Sequence, residues 1–195
     1  MIKRTIYSIL LILITSLKVM GIPYCDVRKF SIIDGLAANK ISGIAQTPDR
    51  LMWFSTWNGI SYYDGYSFHT FRDEAGDLDL LSSNHFEGIY ATSKNNVWCI
   101  TADRRLYGYE TKLCTFIPVD DEINKLYNID LRVDKIYTIK QGNTWVTTKS
   151  GDYLIRIKGL PREGNIPELI KVGQNGLRSG NVWHIWSDKK KREWI

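Results

Sequence analysis

An all-β fold of tandem four-stranded sheets is what this sequence predicts, and three observations predict it. First, four tryptophans, Trp53, Trp98, Trp145 and Trp194, stand 45, 47 and 49 residues apart. Second, fixed neighbours travel with them. An isoleucine lies nine residues before each (Ile44, Ile89, Ile136, Ile185) and an apolar residue twelve before (Ile41, Phe86, Val133, Val182). A threonine lies three residues after the first three (Thr56, Thr101, Thr148). Third, each period reads as short strands joined by tight turns. Four strands per period of about 45 residues mark a propeller blade. The expected fold is therefore all-β: a partial β-propeller of about three and a half four-stranded blades, the first half of a seven-bladed ring.

Residues 1–21 read as a signal peptide. Met1-Ile2-Lys3-Arg4 is a basic start, Thr5 to Leu17 is almost wholly apolar, and Val19-Met20-Gly21 supplies the cut region. The incomplete propeller then spans 22–195, with blades near 39–71, 84–117, 131–172 and 180–195. Val27 to Ile33 reads as a lone outer strand of the kind that locks a closed ring. The fourth copy stops one residue past Trp194, so the chain is expected to open a longer protein.

The first blade is the clearest. Thr47-Pro48-Asp49-Arg50 is turn chemistry, because Pro fixes φ and Asp bonds its own backbone. Leu51 to Thr56 is β-rich around Trp53. Asn58-Gly59 supplies positive φ for a tight turn, and Asp64-Gly65 makes the next one. Tyr66 to Phe71 alternates as a half-buried strand does. The second blade turns at Lys94-Asn95-Asn96 and Asp103-Arg104-Arg105. The third turns at Gln141-Gly142-Asn143 and Lys149 to Asp152, and takes Glu168 to Val172 as its outer strand. No helix is required. The recurring pairs Ile44/Trp53, Ile89/Trp98, Ile136/Trp145 and Ile185/Trp194 serve the repeat, filling the gaps between neighbouring sheets.

Composition bounds the function. The 195 residues are 44% hydrophobic and 12% aromatic, which suits a folded domain. The formal charge is +5, but loss of Lys3, Arg4 and Lys18 with the signal leaves about +2, no argument for nucleic acid. The run Lys189-Lys190-Lys191-Arg192 falls at a hairpin tip. Cys25 follows the bulky Tyr24, which disfavours a lipid anchor. Cys99 follows its Trp on one strand and Cys114 is expected in the last strand of the same repeat; with one strand between them their Cα atoms would be about 9–10 Å apart, beyond disulfide reach. No second apolar stretch of about 20 residues exists.

The strings Asp34 to Ile44, Met52 to Ile60 and Tyr63 to Phe68 closely resemble the two-component regulator propeller repeat. The resemblance runs in repeating form from Phe30 to Ile195. It weakens in the second copy, where Arg104 or Arg105 replaces the turn glycine, and in the third, where Leu131 replaces the leading Asn. It implies the periplasmic sensor of a hybrid two-component system. Such proteins are expected to carry two seven-bladed propellers, a β-sandwich, a membrane helix, a histidine kinase, a receiver and a DNA-binding module. The implied ligand is an oligosaccharide. The implied partners are the rest of the propeller and sensor, with a homodimer in the parent anchored in the inner membrane. No kinase motif maps onto this chain.

Catalytic patterns are absent from the sequence. His69, His85 and His184 stand far apart with no metal-ligand spacing, so no metal or cofactor is expected. There is no Gly-x-Ser-x-Gly elbow and no phosphate-cradling loop. Asp77, Asp79 and Asp120-Asp121-Glu122 fall between blades, where acids are expected to be solvated. Ser187-Asp188 with Trp194 is similar to the Asp-box hairpin of sialidases, a structural turn remote from their chemistry. For sugar binding, exposed rings and amides are the useful groups. Trp57 and Asn58, with Tyr62, Tyr66 and His69 nearby, are the candidates. The plainer reading is that Trp57 shields its hairpin and Asn58 makes the turn. Two further readings are a truncated propeller without independent activity and a non-catalytic scaffold or adhesion module.

Overall fold

The computed structural model describes residues 26–72, 83–139, 142–161, 164–174 and 176–195. The expected signal peptide, Cys25, Asp77 and Asp79 lie outside these. Among the described residues, three antiparallel four-stranded sheets follow one another along the chain, then a two-stranded hairpin. The first sheet holds β1 (Ile41–Gln46), β2 (Met52–Thr56), β3 (Gly59–Tyr63) and β4 (Phe68–Phe71) in chain order. The second holds β5 (Phe86–Ala91), β6 (Val97–Thr101), β7 (Leu106–Glu110) and β8 (Thr115–Pro118). The third holds β9 (Val133–Thr138), β10 (Thr144–Thr148), β11 (Tyr153–Ile157) and β12 (Glu168–Lys171). The hairpin pairs β13 (Trp186–Ser187) with β14 (Glu193–Trp194). These are the open sheets of a partial propeller.

The turns repeat as faithfully as the tryptophans. Thr47, Thr92, Ile139 and Asp188 each send their N–H to the carbonyl four residues on, at 2.9 to 3.1 Å. Three residues after each stands a left-handed residue: Arg50 (φ 72), Asn95 (φ 62), Gly142 (φ 81) and Lys191 (φ 64). The run of lysines therefore does lie at a hairpin tip. The next turn has its own left-handed position, at Gly59 (φ 112), Arg104 (φ 68) and Gly151 (φ 75). The recurring threonines close it. Thr56 Oγ1 donates to the Gly59 carbonyl at 2.8 Å and Thr148 Oγ1 to the Tyr153 carbonyl at 3.2 Å, while Thr101 Oγ1 accepts the Arg105 N–H at 3.1 Å.

The core lies at the seams between sheets. One cluster joins Trp53 and Ile60 of the first blade to Phe86, Ile89 and Phe116 of the second. A second joins Trp98 and Leu106 to Ile136 and Val146. A third joins Trp145 and Leu154 to Val182 and Ile185. Each indole thus meets the isoleucine of the following repeat. Strands β6 and β10, walled on both faces, are buried at every residue. Close approach is built in at Gly43, where a Cβ would lie 2.9 Å from Ser55 Oγ and 3.1 Å from the Ile89 nitrogen. A backbone hydrogen bond crosses each of the first two seams, and the chain approaches itself closely at the third. The Gly59 N–H donates to the Asn84 carbonyl at 2.8 Å, the Val133 N–H to the Arg104 carbonyl at 2.9 Å, and Gly180 lies against the Gly151 carbonyl.

Four expectations need correction. Ile44 and Trp194 do not fill seams: they are 58% and 53% exposed, because no described sheet covers their faces. Residues 27–33 form no strand. Instead Ser31 and Asp34 make a capping box around a 3-10 turn, Ile32–Asp34, that ends at the left-handed Gly35. Phe30 still reaches the first sheet, 5.0 Å from the Tyr63 ring and 5.4 Å from that of Phe68. A helix is present, α1 (Val119–Tyr127). Its Val119 and Ile123, four residues apart, lie on the face buried in the second seam. Its first turn is acidic, as suits a helix N-terminus, but Asp120 is not solvated. It is 1% exposed and takes Arg105 Nε at 2.6 Å, while the same guanidinium reaches Asp121 at 2.6 Å. Cys114 sits in the β7–β8 turn at φ 51 and is exposed, whereas Cys99 is buried; both are free.

Candidate functional site

Strand directions sort the candidate residues. In the first blade β1 runs away from the end where the chain arrives from Asn39 and Lys40, and β2 returns to it. That linker end carries the β2–β3 turn, with Trp57 and Asn58. The opposite, turn end carries the β1–β2 turn and the β3–β4 turn, with Tyr66 and its neighbours. The five residues of β3 separate the two turns by about 17 Å. The five sequence candidates therefore do not form one site.

At the linker end Trp57 is half exposed. The Lys40 ammonium lies over its ring, 2.8 Å from the centroid, and the His85 ring approaches to 4.5 Å. A sugar could stack on this indole only where Lys40 swings aside. Asn58 is an exposed turn residue whose carbonyl accepts Arg72 Nε at 3.0 Å. Arg72 also donates to the Ala37 carbonyl. Together with Ile32, Ala38 and Asn39, these residues line an open cleft of about 630 Å³.

The neighbours Lys40 and His85 were not singled out in the sequence, yet their register marks them. Lys40, His85 and Arg132 occupy one repeat position. Their carbonyls accept the N–H groups of Trp57, Ala102 and Lys149 at 3.3, 2.9 and 2.8 Å. Counting from the tryptophans would have aligned all three.

At the turn end Tyr62 and His69 face each other across β3 and β4 and stack at 4.6 Å. Asp64 organises the turn. Its Oδ1 accepts the N–H groups of Tyr66 and Ser67, both at 2.8 Å, and its Oδ2 lies 3.2 Å from His69 Nε2. The Ser67 N–H first, then that of Tyr66 and the His69 side chain, hold the Asp64 carboxyl at about 2. Burial, followed by the Asp64 charge, raises the Tyr62 phenol above its usual range. His69 Nε2 is also 3.3 Å from Ser67 Oγ. A Ser-His-Asp relay needs each imidazole nitrogen to face a different partner. Here one nitrogen serves both, so the arrangement is a braced turn. Tyr66 is 95% exposed beside it, a free ring on a rigid base.

Among the described residues, no group of three His, Cys, Asp or Glu side chains could hold a metal ion. No helix among them is long and apolar enough to cross a membrane.

No family profile and no curated protein matches the chain. Solved structures do. The extracellular domain of the hybrid two-component system BT3049 of B. thetaiotaomicron is similar at TM-score 0.58 and 20% identity, over 81% of this chain and 22% of that one. The extracellular domain of BT4673 from the same organism is similar at TM-score 0.56 and 19% identity, over 88% of this chain and 25% of that one. A virginiamycin B lyase of Staphylococcus aureus reaches TM-score 0.50 at 17% identity, over 80% and 48%. The likeness is one of fold, that of radially stacked antiparallel sheets. The chain spans a quarter or less of the length of the two extracellular domains.

Proposed function

We propose that this chain is the opening part of a periplasmic sensing region in a hybrid two-component signal-transduction protein, and that it takes part in recognising an oligosaccharide. The fold shared with two extracellular domains of such systems carries this reading. The exposed ring of Tyr66, the half-exposed indole of Trp57 and the amides at the linker end supply the stacking and hydrogen-bonding groups that a saccharide needs. The role is binding and scaffolding rather than catalysis. His69, at the turn end, is about a strand's length from His85, at the linker end, so these two do not meet for acid–base work. In the parent, a bound saccharide would alter how the propeller packs on its membrane-proximal neighbour and so bias paired kinases. Titrating the chain with oligosaccharides released from polysaccharides tests this. Saturable quenching of tryptophan emission with Kd below about 1 mM supports it, and no saturable response to any saccharide overturns it.

The uncovered faces around Ile44 and Trp194 favour a second reading, a propeller part without independent activity. In that case the isolated chain self-associates, and capping those faces with polar substitutions makes it monomeric without conferring any binding.

A further inference from the structure

At the turn end, the ends of β1, β5 and β9 and the residues just after them gather around one cavity of about 580 Å³. Gln46, Ala91 and Thr138, the same position of three successive repeats, line it. Thr47 and Thr92 stand behind them with hydroxyls committed to their own turns. The Gln46 amide and the Thr138 hydroxyl make no hydrogen bond to described residues, and Ser93 adds a third polar group to the wall. The charge is Arg50. Its guanidinium has no partner among the described residues, and none of the described lining residues is a carboxylate.

Arg50 also holds a backbone conformation that disfavours it, with φ 72. The second and third repeats, which share the cavity, place Asn95 and Gly142 at that position, residues better suited to it. Arg50 is the one cation among the described residues that line the cavity, and it is held there by the turn.

We propose that this cavity binds an anionic saccharide, its carboxylate or sulfate on Arg50 and its hydroxyls on Gln46 and Thr138. A planar guanidinium suits either anion, and an amide beside a hydroxyl suits a sugar's vicinal oxygens. The inference rests on the saccharide-sensing reading and narrows it to an acidic class. It places that contact at the opposite end of the blade from Trp57 and Asn58.

The test is a titration of the full chain with digalacturonate, a sulfated disaccharide and neutral lactose, followed by amide chemical shifts and calorimetry. Arg50→Asn removes the cation while tolerating positive φ, and its melting temperature checks the fold. Shifts centred on Gln46, Arg50 and Thr138 are expected with an acidic probe, with about tenfold weaker binding in R50N and in high salt. Strong response to only one anion decides between uronate and sulfate. Equal binding of lactose, or acidic binding unchanged in R50N and Q46A, overturns the proposal and leaves saccharide sensing standing. Binding of none of the probes, nor of any other saccharide, by a folded chain overturns both.

Discussion

The indole N–H of Trp53 donates to the Thr47 hydroxyl across 3.3 Å, and the later repeats lose that bond in two ways. In the second, Thr92 Oγ1 takes the N–H groups of Lys94 and Asn96, and in the third Ile139 has no hydroxyl to offer. The buried indole N–H groups of Trp98 and Trp145 have no partner among the described residues. Thr47→Val should leave Trp53 in the same state and cost about 1–3 kcal/mol, with Thr47→Ser costing less. Urea unfolding followed by tryptophan emission measures both. A T47V as stable as the wild type would show that this bond contributes nothing.

Arg105 anchors helix α1 to the second blade through a carboxylate that is almost wholly buried. Removing the guanidinium strands the Asp120 charge, so Arg105→Ala should cost about 3 kcal/mol. The Asp121 side chain is half exposed, and Asp121→Asn should cost under about 1 kcal/mol. Denaturant midpoints rank the two, and equal effects would refute the distinction.

Gly43 lets the inner strand of the second blade lie against the first. Gly43→Ala forces a methyl towards the Ile89 backbone and should cost about 1–3 kcal/mol. Hydrogen exchange should quicken along β1 and β5 while β10 and β11 stay protected. Uniform loss of protection would contradict a local seam.

Asp64 titrates at about 2 in the folded chain, below its ordinary 3.8. Because the folded value is depressed, the ionised carboxylate adds stability above pH 3.8 that is lost as pH falls towards 2. Carboxyl chemical shifts should give the low midpoint, and His69→Ala should raise it only slightly, since the backbone N–H groups act first. A midpoint at 3.8 would contradict the turn geometry.

The seams were legible because the recurring Ile and Trp positions lie on sheet faces, and a spacing repeated three times survives the loss of any one neighbour. Helix α1 was not, because Val119 continues the apolar run of β8 and the acids Asp120 to Glu122 read as a solvated connection, so only tertiary packing makes Val119 and Ile123 one face of a helix. Asp120 was misjudged for a related reason: an acid's burial depends on a cation fifteen residues upstream, which spacing alone does not pair with it. The sugar-binding candidates were chosen by residue type. Their separation to opposite ends of one blade follows from strand direction, which could have been counted from the turns. The cavity at the turn end was missed because each repeat gives it one unremarkable polar residue, and only stacking gathers them.

The contact from each hairpin to the start of the following repeat sets an order of assembly. Every sheet is clasped by chain that is synthesised directly after it. A polypeptide emerging amino-terminus first can therefore close each of these seams in turn, each waiting only for the next few dozen residues.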